Sequence, residues 1–297
     1  MFQEGFQFYK PCRLLQPYIR YYWVFRSSWL LKTLTFPIGC PQLIFHKGMP
    51  LYIPELGTRQ SILTVSGQVN YPAHLYSEGE TEMIVVVFQP YGMRAFLHLP
   101  ISALHNLEVS GFDLEYKRLE ELAAQVFECK DTDTCINLIE AWLLSLLSEV
   151  QTPKLALNQK RIAAAINHLF STPGTSVTTL ASIACLSKKQ FERLFNDMVG
   201  TNPKEYARIA RFQMSLKLLQ ECPAGISQAQ LAYQCGYADQ SHFIREFKQF
   251  SGHTPVALLK TSASLIPICS PTRHNVPFLL SEATPPAYLC AYKQLIG

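Results

Sequence analysis

Two stretches of this 297-residue chain repeat one another at a fixed interval. Phe191, Arg193 and Phe195 recur as Phe243, Arg245 and Phe247, and Gly200 and Pro203 recur as Gly252 and Pro255, each pair 52 residues apart. An internal repeat means one supersecondary unit built twice. Each copy predicts a short helix, a tight turn and a second helix. In the first, Leu180–Cys185 is followed by Ser187 and Gln190, a capping box, with Leu186 and Phe191 placed as a hydrophobic staple. Phe191, Leu194, Phe195 and Met198 then share one helical face. The second copy is one residue longer at its turn. It pairs Ser227 with Gln230, staples Ile226 to Leu231, suits Gly236 to a positive φ and caps its second helix with Asp239. Phe243, Phe247 and Phe250 face inward.

The outward residues carry the chemistry. They are Lys188, Lys189, Glu192, Arg193 and Asn196 in the first copy, and Gln240, Ser241, His242, Arg245 and Lys248 in the second. A helix fits a major groove ~12 Å wide, where Arg pairs with guanine and Gln with adenine. Lys holds phosphates without reading sequence. Two such helices in one chain suit successive groove segments ~34 Å apart, with the helix at about 204–220 setting the spacing. Basic helix faces are often merely solvated, and helix-turn-helix pairs also serve as protein–protein modules. Charge distribution favours a polyanion. The chain is +4 overall, but residues 153–260 hold 13 Lys and Arg against 6 Asp and Glu, a local +7. The remainder sums to −3.

The first ~90 residues read as strands at Tyr18–Arg26, Gln42–His46, Ile62–Asn70 and Glu82–Gln89, punctuated by Pro and Gly. Helical periodicity follows over Leu114–Cys129 and Thr132–Val150. In the second of these, Ile136, Ile139, Leu143, Leu146 and Val150 form an apolar seam, which predicts packing either against the chain's own β-domain or against a second chain in a homodimer. Gln151–Lys154, with Pro153, reads as a linker. Helices are expected at about 158–170, 178–185, 188–199, 204–220, 228–234 and 239–250. Prolines from Pro267 onward exclude a regular helix near the C-terminus. The expected division is 1–152 as a regulatory domain, 153–260 as the paired unit and 261–297 as an extension. Nine cysteines without C-x-x-C spacing suit free thiols in a reducing compartment. The N-terminus lacks the pattern of a secretory signal, and no apolar run approaches the ~20 residues of a spanning helix. The cytoplasm, with no membrane contact, is the expected setting.

Residues ~158–260 resemble the paired helix-turn-helix domain of the AraC/XylS family of bacterial regulators. The match is carried most specifically by GYADQSHFIREFKQFSGHTP at Gly236–Pro255, and by Pro203, Tyr206, Arg211 and Leu218–Leu219 in the connecting helix. The resemblance implies a sequence-specific transcription regulator bound to double-stranded DNA. It implies that Lys189 and Arg193 read bases from the first recognition helix, and Gln240, Ser241, His242 and Arg245 from the second. Lys188 and Lys248 are expected on phosphates. Activators of this type contact RNA polymerase. Three positions depart from the family's pattern: Cys185 stands where glycine is common, Ser215 where alanine is usual, and Leu258–Leu259 where Tyr-Arg often follows.

Residues ~8–115 are similar, less specifically, to a cupin-like domain that precedes such pairs, through YIRYYWVF, FPIGCPQLIFHKG and VVFQPYGMRAFLHLP. The expected fold is therefore α+β in two domains: a cupin-like β-barrel or sandwich followed by helices, then an all-α domain with two helix-turn-helix units. Aromatic residues concentrate in the first half, and Tyr22, Trp23 and Phe45 are the expected contacts for a small apolar or aromatic effector. They serve equally well as core filling. His46, His74, His98 and His105 lack the H-x-H spacing of a metal-binding cupin, so no metal and no cofactor are expected. The competing class is an enzyme, either a metal-dependent cupin or a DNA-repair protein with an appended DNA-binding module. The repair reading needs a four-cysteine cluster near the N-terminus, where only Cys12 and Cys40 precede residue 129. A non-enzymic regulator is the leading expectation.

Overall fold

The computed structural model describes residues 5–150, 152–221 and 227–261. Ten strands come first: β1 (Gly5–Tyr9), β2 (Ile19–Ser27), β3 (Leu31–Thr35), β4 (Gln42–His46), β5 (Tyr52–Ile53), β6 (Thr58–Arg59), β7 (Leu63–Ser66), β8 (Ala73–Ser77), β9 (Thr81–Phe88) and β10 (Glu108–Ser110). They form two antiparallel sheets, ordered β1-β2-β9-β4-β7-β10 and β3-β8-β5-β6. Neither sheet closes on itself, so the N-terminal half is a sandwich and not a barrel.

The run Met83–Phe88 is apolar throughout because both of its faces are covered. Met83, Val85 and Val87 pack with Tyr21, Trp23 and Phe25 of β2 and with Leu31 of the smaller sheet. Ile84, Val86 and Phe88 pack on the other side with Tyr22, Val24 and Phe45, beneath the helices that follow. This alternation separates the expected effector contacts. Tyr22 and Phe45 face the helices and Trp23 faces the second sheet, and all three are buried. Adjacent strand residues point to opposite faces, so Tyr22 and Trp23 do not line one pocket.

Three 3-10 turns, Met93–Ala95, Ile101–Leu104 and Gly111–Leu114, lead to α1 (Lys117–Glu128) and α2 (Thr132–Val150). The apolar seam of α2 is turned into its own chain. Ile136, Ile139, Leu143 and Leu146 are buried against α1 and the large sheet. The seam is thus occupied within its own chain, the first of the two packings that the sequence allowed. The Val150 side chain lies outside the described set.

The second half is helical: α3 (Pro153–Ser171), α4 (Val177–Ile183), α5 (Lys188–Val199), α6 (Pro203–Glu221), α7 (Gln228–Gln234), α8 (Gln240–Ser251) and α9 (Pro255–Thr261). The break at Gln151–Lys154 is short. Thr152 caps α3 by accepting from the Leu155 amide, and Pro153 is the first helical residue, where its missing N–H costs nothing. Ile226 and residues 262–297 lie outside the described residues, so the second staple and nearly all of the C-terminal extension do too.

The two halves are docked along α5 and α6. Arg94 of the first 3-10 turn donates to Asp197 at 3.2 Å. A methyl added to Gly200, at the C-terminus of α5, would fall 2.7 Å from Ile101 Cγ2 and 3.0 Å from its carbonyl oxygen. Phe36 meets Phe212 edge-on, with ring centroids 5.9 Å apart. Gln213 donates to the Pro37 carbonyl, and Asn70 donates to Glu205.

Candidate nucleic-acid interface

Each helix-turn-helix unit has its own core, and α6 serves both. Tyr206, Ala207 and Ala210 pack with Phe191 and Phe195 of the first unit. Ile209, Phe212, Leu216 and Leu219 pack with Phe243, Phe247 and Phe250 of the second. The apolar faces expected of α5 and α8 are therefore the buried ones. The helix starts form as their sequences direct. Ser187 and Gln190 make a reciprocal capping box at α5, Ser227 and Gln230 make one at α7, and Asp239 accepts from the His242 amide at α8.

The two turns share a backbone conformation but not a residue type. Gly236 has φ +74°, and Cys185, its counterpart, has φ +52°. Gly236 is glycine for a second reason: an added Cβ would lie 2.8 Å from the Pro173 carbonyl carbon, in the turn before α4. Cys185 is exposed and holds a left-handed conformation that costs a non-glycine residue about 1–2 kcal/mol. Cys185→Gly should raise stability by about 0.5–1 kcal/mol, the relief being partly offset by glycine's larger unfolded-state entropy. Urea unfolding of the variant against the parent checks this; a lower midpoint would show that the strain is not felt.

The outward faces are open. Lys188, Lys189, Glu192, Arg193 and Asn196 of α5 are exposed, as are Gln240, Ser241, Arg245 and Lys248 of α8. Gln240 Nε2 lies 3.4 Å from Gln228 Oε1, which ties the start of α8 to α7. His242 differs. Its ring stands edge-on to Tyr237 at 5.4 Å, and its Nε2 is 3.6 Å from Glu246 Oε2. That ring is packed against its own unit and is less free to reach a base than its neighbours.

Glu246 is the residue that sequence reasoning missed. It is 3% exposed and accepts from Arg208 at 2.8 Å and from Arg211 at 3.1 Å, both on α6. Arg211 also lies over the Tyr237 ring, 5.0 Å from its centroid. The cluster fixes the angle of α8 on α6 by charge-assisted bonds. A signal was present: Glu246 is three residues after Phe243 and four before Phe250, on the inward face. At the equivalent place the first unit has Leu194. Among the described residues no group of three His, Cys, Asp or Glu is placed to hold a metal, and no helix is long and apolar enough to cross a membrane.

Two helix-turn-helix units on a shared helix, each with an exposed polar recognition face, define the class of this half. Residues 180–261 match the family described as helix-turn-helix domain, and residues 7–110 match a family described as a domain of unknown function. A probable transcriptional regulator, LumQ of Photobacterium leiognathi, is 34% identical over 80 residues, 27% of this chain and 32% of LumQ. The RCS-specific transcriptional activator RclR of Escherichia coli K12 is 29% identical over 119 residues, 39% of this chain and 41% of RclR. The chain thus spans less than half the length of these relatives. Among solved structures, the DNA-binding domain of AdpA in complex with a target DNA aligns at TM-score 0.31 and 25% identity, over 35% of this chain and 90% of that one. ToxT from Vibrio cholerae aligns loosely at TM-score 0.42 and 13% identity, over 86% of this chain and 97% of that one. Residues 180–261 are thus a helix-turn-helix domain, similar to those of transcriptional regulators.

Proposed function

We propose that this protein is a bacterial transcription regulator that binds double-stranded DNA by placing α5 and α8 in successive major-groove segments. One observation carries the reading: among the described residues the polar faces of α5 and α8 stay open, although α5 is docked on the N-terminal half through Asp197 and Gly200. Lys189, Arg193, Gln240, Ser241 and Arg245 read base edges, while Lys188 and Lys248 hold phosphates. Relatives named as transcriptional regulators support the DNA-binding reading. On this reading the protein works in the cytoplasm and performs no catalysis.

Residues 1–152 act as the control domain, through the docked contact and not through a loose linker. The face shared by Tyr22 and Phe45 holds a small apolar cavity lined in part by Phe88, Met93, Phe96 and Trp142. Met93 belongs to the 3-10 turn that carries Arg94, the partner of Asp197. That cavity has room for about one water-sized molecule, so an apolar effector must open the packing around Met93 to enter, and that movement is passed to α5 through Arg94 and Asp197. The effector shifts the regulator only by binding the DNA-competent and incompetent forms unequally, with a coupling of ~1–3 kcal/mol.

Selection of the full chain on a pool of random duplexes, followed by sequencing, tests the DNA reading. The expected result is a bipartite motif with half-sites about one helical turn apart. A pool that gains no motif, with affinity equal for all duplexes, would overturn it.

A further inference from the structure

The turn between α1 and α2 brings together three groups that DNA reading does not use. Cys129 caps the C-terminus of α1 and is partly exposed; Cys135 lies in the first turn of α2 and is fully buried. The turn is rigidly built. Asp131 accepts from the Thr134 amide at 2.8 Å, and its carbonyl accepts from the Cys135 amide at 3.0 Å. Cys135 Sγ lies 3.9 Å from the Cys129 carbonyl oxygen, and Cys129 Sγ lies 3.4 Å from the Asp131 carbonyl oxygen, so both thiols sit on the same turn. Lys47, from the end of β4, enters beside them with its side chain only 8% exposed. Its ammonium donates to the Cys129 carbonyl, lies 3.8 Å from Cys135 Sγ and is 3.9 Å from Glu82.

A buried ammonium against a buried thiol needs a reason. Glu82 is already bound by Arg26 at 2.8 Å, so it does not serve Lys47 alone. Burial above all raises the Cys135 thiol pKa, to about 11 with the opposing pull of Lys47 included. A cation beside sulfur favours thiolate, the form that attacks. We propose that Cys129 and Cys135 are a hydroperoxide-sensitive dithiol, closing to a disulfide across the α1–α2 turn, with Lys47 as the cation that favours the resolving thiolate.

The chemistry balances. Cys129 sulfur attacks the outer oxygen of the hydroperoxide; the O–O bond breaks, and the alcohol, or water, leaves with one thiol proton. The product is a Cys129 sulfenic acid. Cys135 sulfur then attacks Cys129 sulfur; the S–O bond breaks, and hydroxide leaves as water with the second thiol proton. Two electrons pass from the two thiols to the peroxide. Exposure assigns the order, because Cys129 can meet an oxidant and Cys135 cannot. This proposal stands apart from the DNA-binding reading and survives its failure.

The test is a peptide map of the full chain after hydrogen peroxide, blocking with N-ethylmaleimide and non-reducing trypsin digestion. Cleavage after Arg118, Lys130 and Lys154 leaves one cysteine in 119–130 and one in 131–154. The expected product is these two peptides joined, released by dithiothreitol and absent from Cys135→Ser. Lys47→Met should slow its formation about threefold, because the lost thiolate fraction outweighs the higher nucleophilicity of a more basic sulfur, and Lys47→Arg should largely restore it. Recovery of both peptides unlinked, whether blocked by N-ethylmaleimide or over-oxidised at Cys129, would overturn the dithiol. That map of the parent protein decides the disulfide without any variant. A Lys47→Met rate equal to the parent's would remove Lys47 from the proposal.

Discussion

Glu246→Ala is expected to destabilise the second helix-turn-helix unit by about 3 kcal/mol, the low end of the range for breaking a buried ion pair. Glu246 is nearly inaccessible, whereas the side chains of Arg208 and Arg211 are 30% and 15% exposed. The loss therefore leaves two cations that recover part of their hydration. The penalty is the uncompensated charge together with the lost registry between α6 and α8. Leu194→Ala, at the equivalent position of the first unit, gives the contrast of a half-buried apolar truncation without any stranded charge. Hydrogen exchange on the full chain separates the two. Glu246→Ala should raise exchange across α7 and α8 and leave α4 and α5 protected. If protection of α8 is unchanged, the cluster does not hold that helix.

Arg193→Ala and Arg245→Ala should each cost ~1–3 kcal/mol of affinity for the selected duplex and relax preference at one base position. Lys188→Ala and Lys248→Ala should instead weaken every duplex alike and reduce the salt slope by about 1 each. The distinction is chemical. A guanidinium matches two acceptors on a base edge, whereas an ammonium is a point charge that suits any phosphate. Both arginines are exposed at equivalent register on α5 and α8, so neither change should disturb the core. Binding measured across duplex variants and salt concentrations decides between them. Unchanged affinity and base preference in both arginine variants would mean that α5 and α8 are not the reading helices.

Much of the second half was legible because its determinants are local. Ser187 with Gln190 and Ser227 with Gln230 act over three residues, and the caps form as read. The Phe191–Phe195 and Phe243–Phe247 spacings mark inward faces by helical period alone. The strands at Gln42–His46 and Glu82–Gln89 were visible because long apolar or alternating runs mark them. Short strands such as β5 and β6 were not, since two residues carry no period. The position of the apolar seam on α2 was read correctly, but its partner was undetermined. Periodicity says that a face is buried and is silent on what buries it.

Local pattern by itself determined where the helix-turn-helix elements start, which faces they bury and which polar residues they leave outside, since caps and a 3.6-residue period act within one or two turns. Tertiary structure decided the pairings between distant segments. It set the Tyr22 and Trp23 faces against different layers and folded the α2 seam onto its own sheet. It docked Arg94 on Asp197, turned Glu246 under two arginines, and brought Lys47 to Cys135, 88 residues away. Such contacts depend on which surfaces the whole chain brings into register, and no single segment encodes its partner's position.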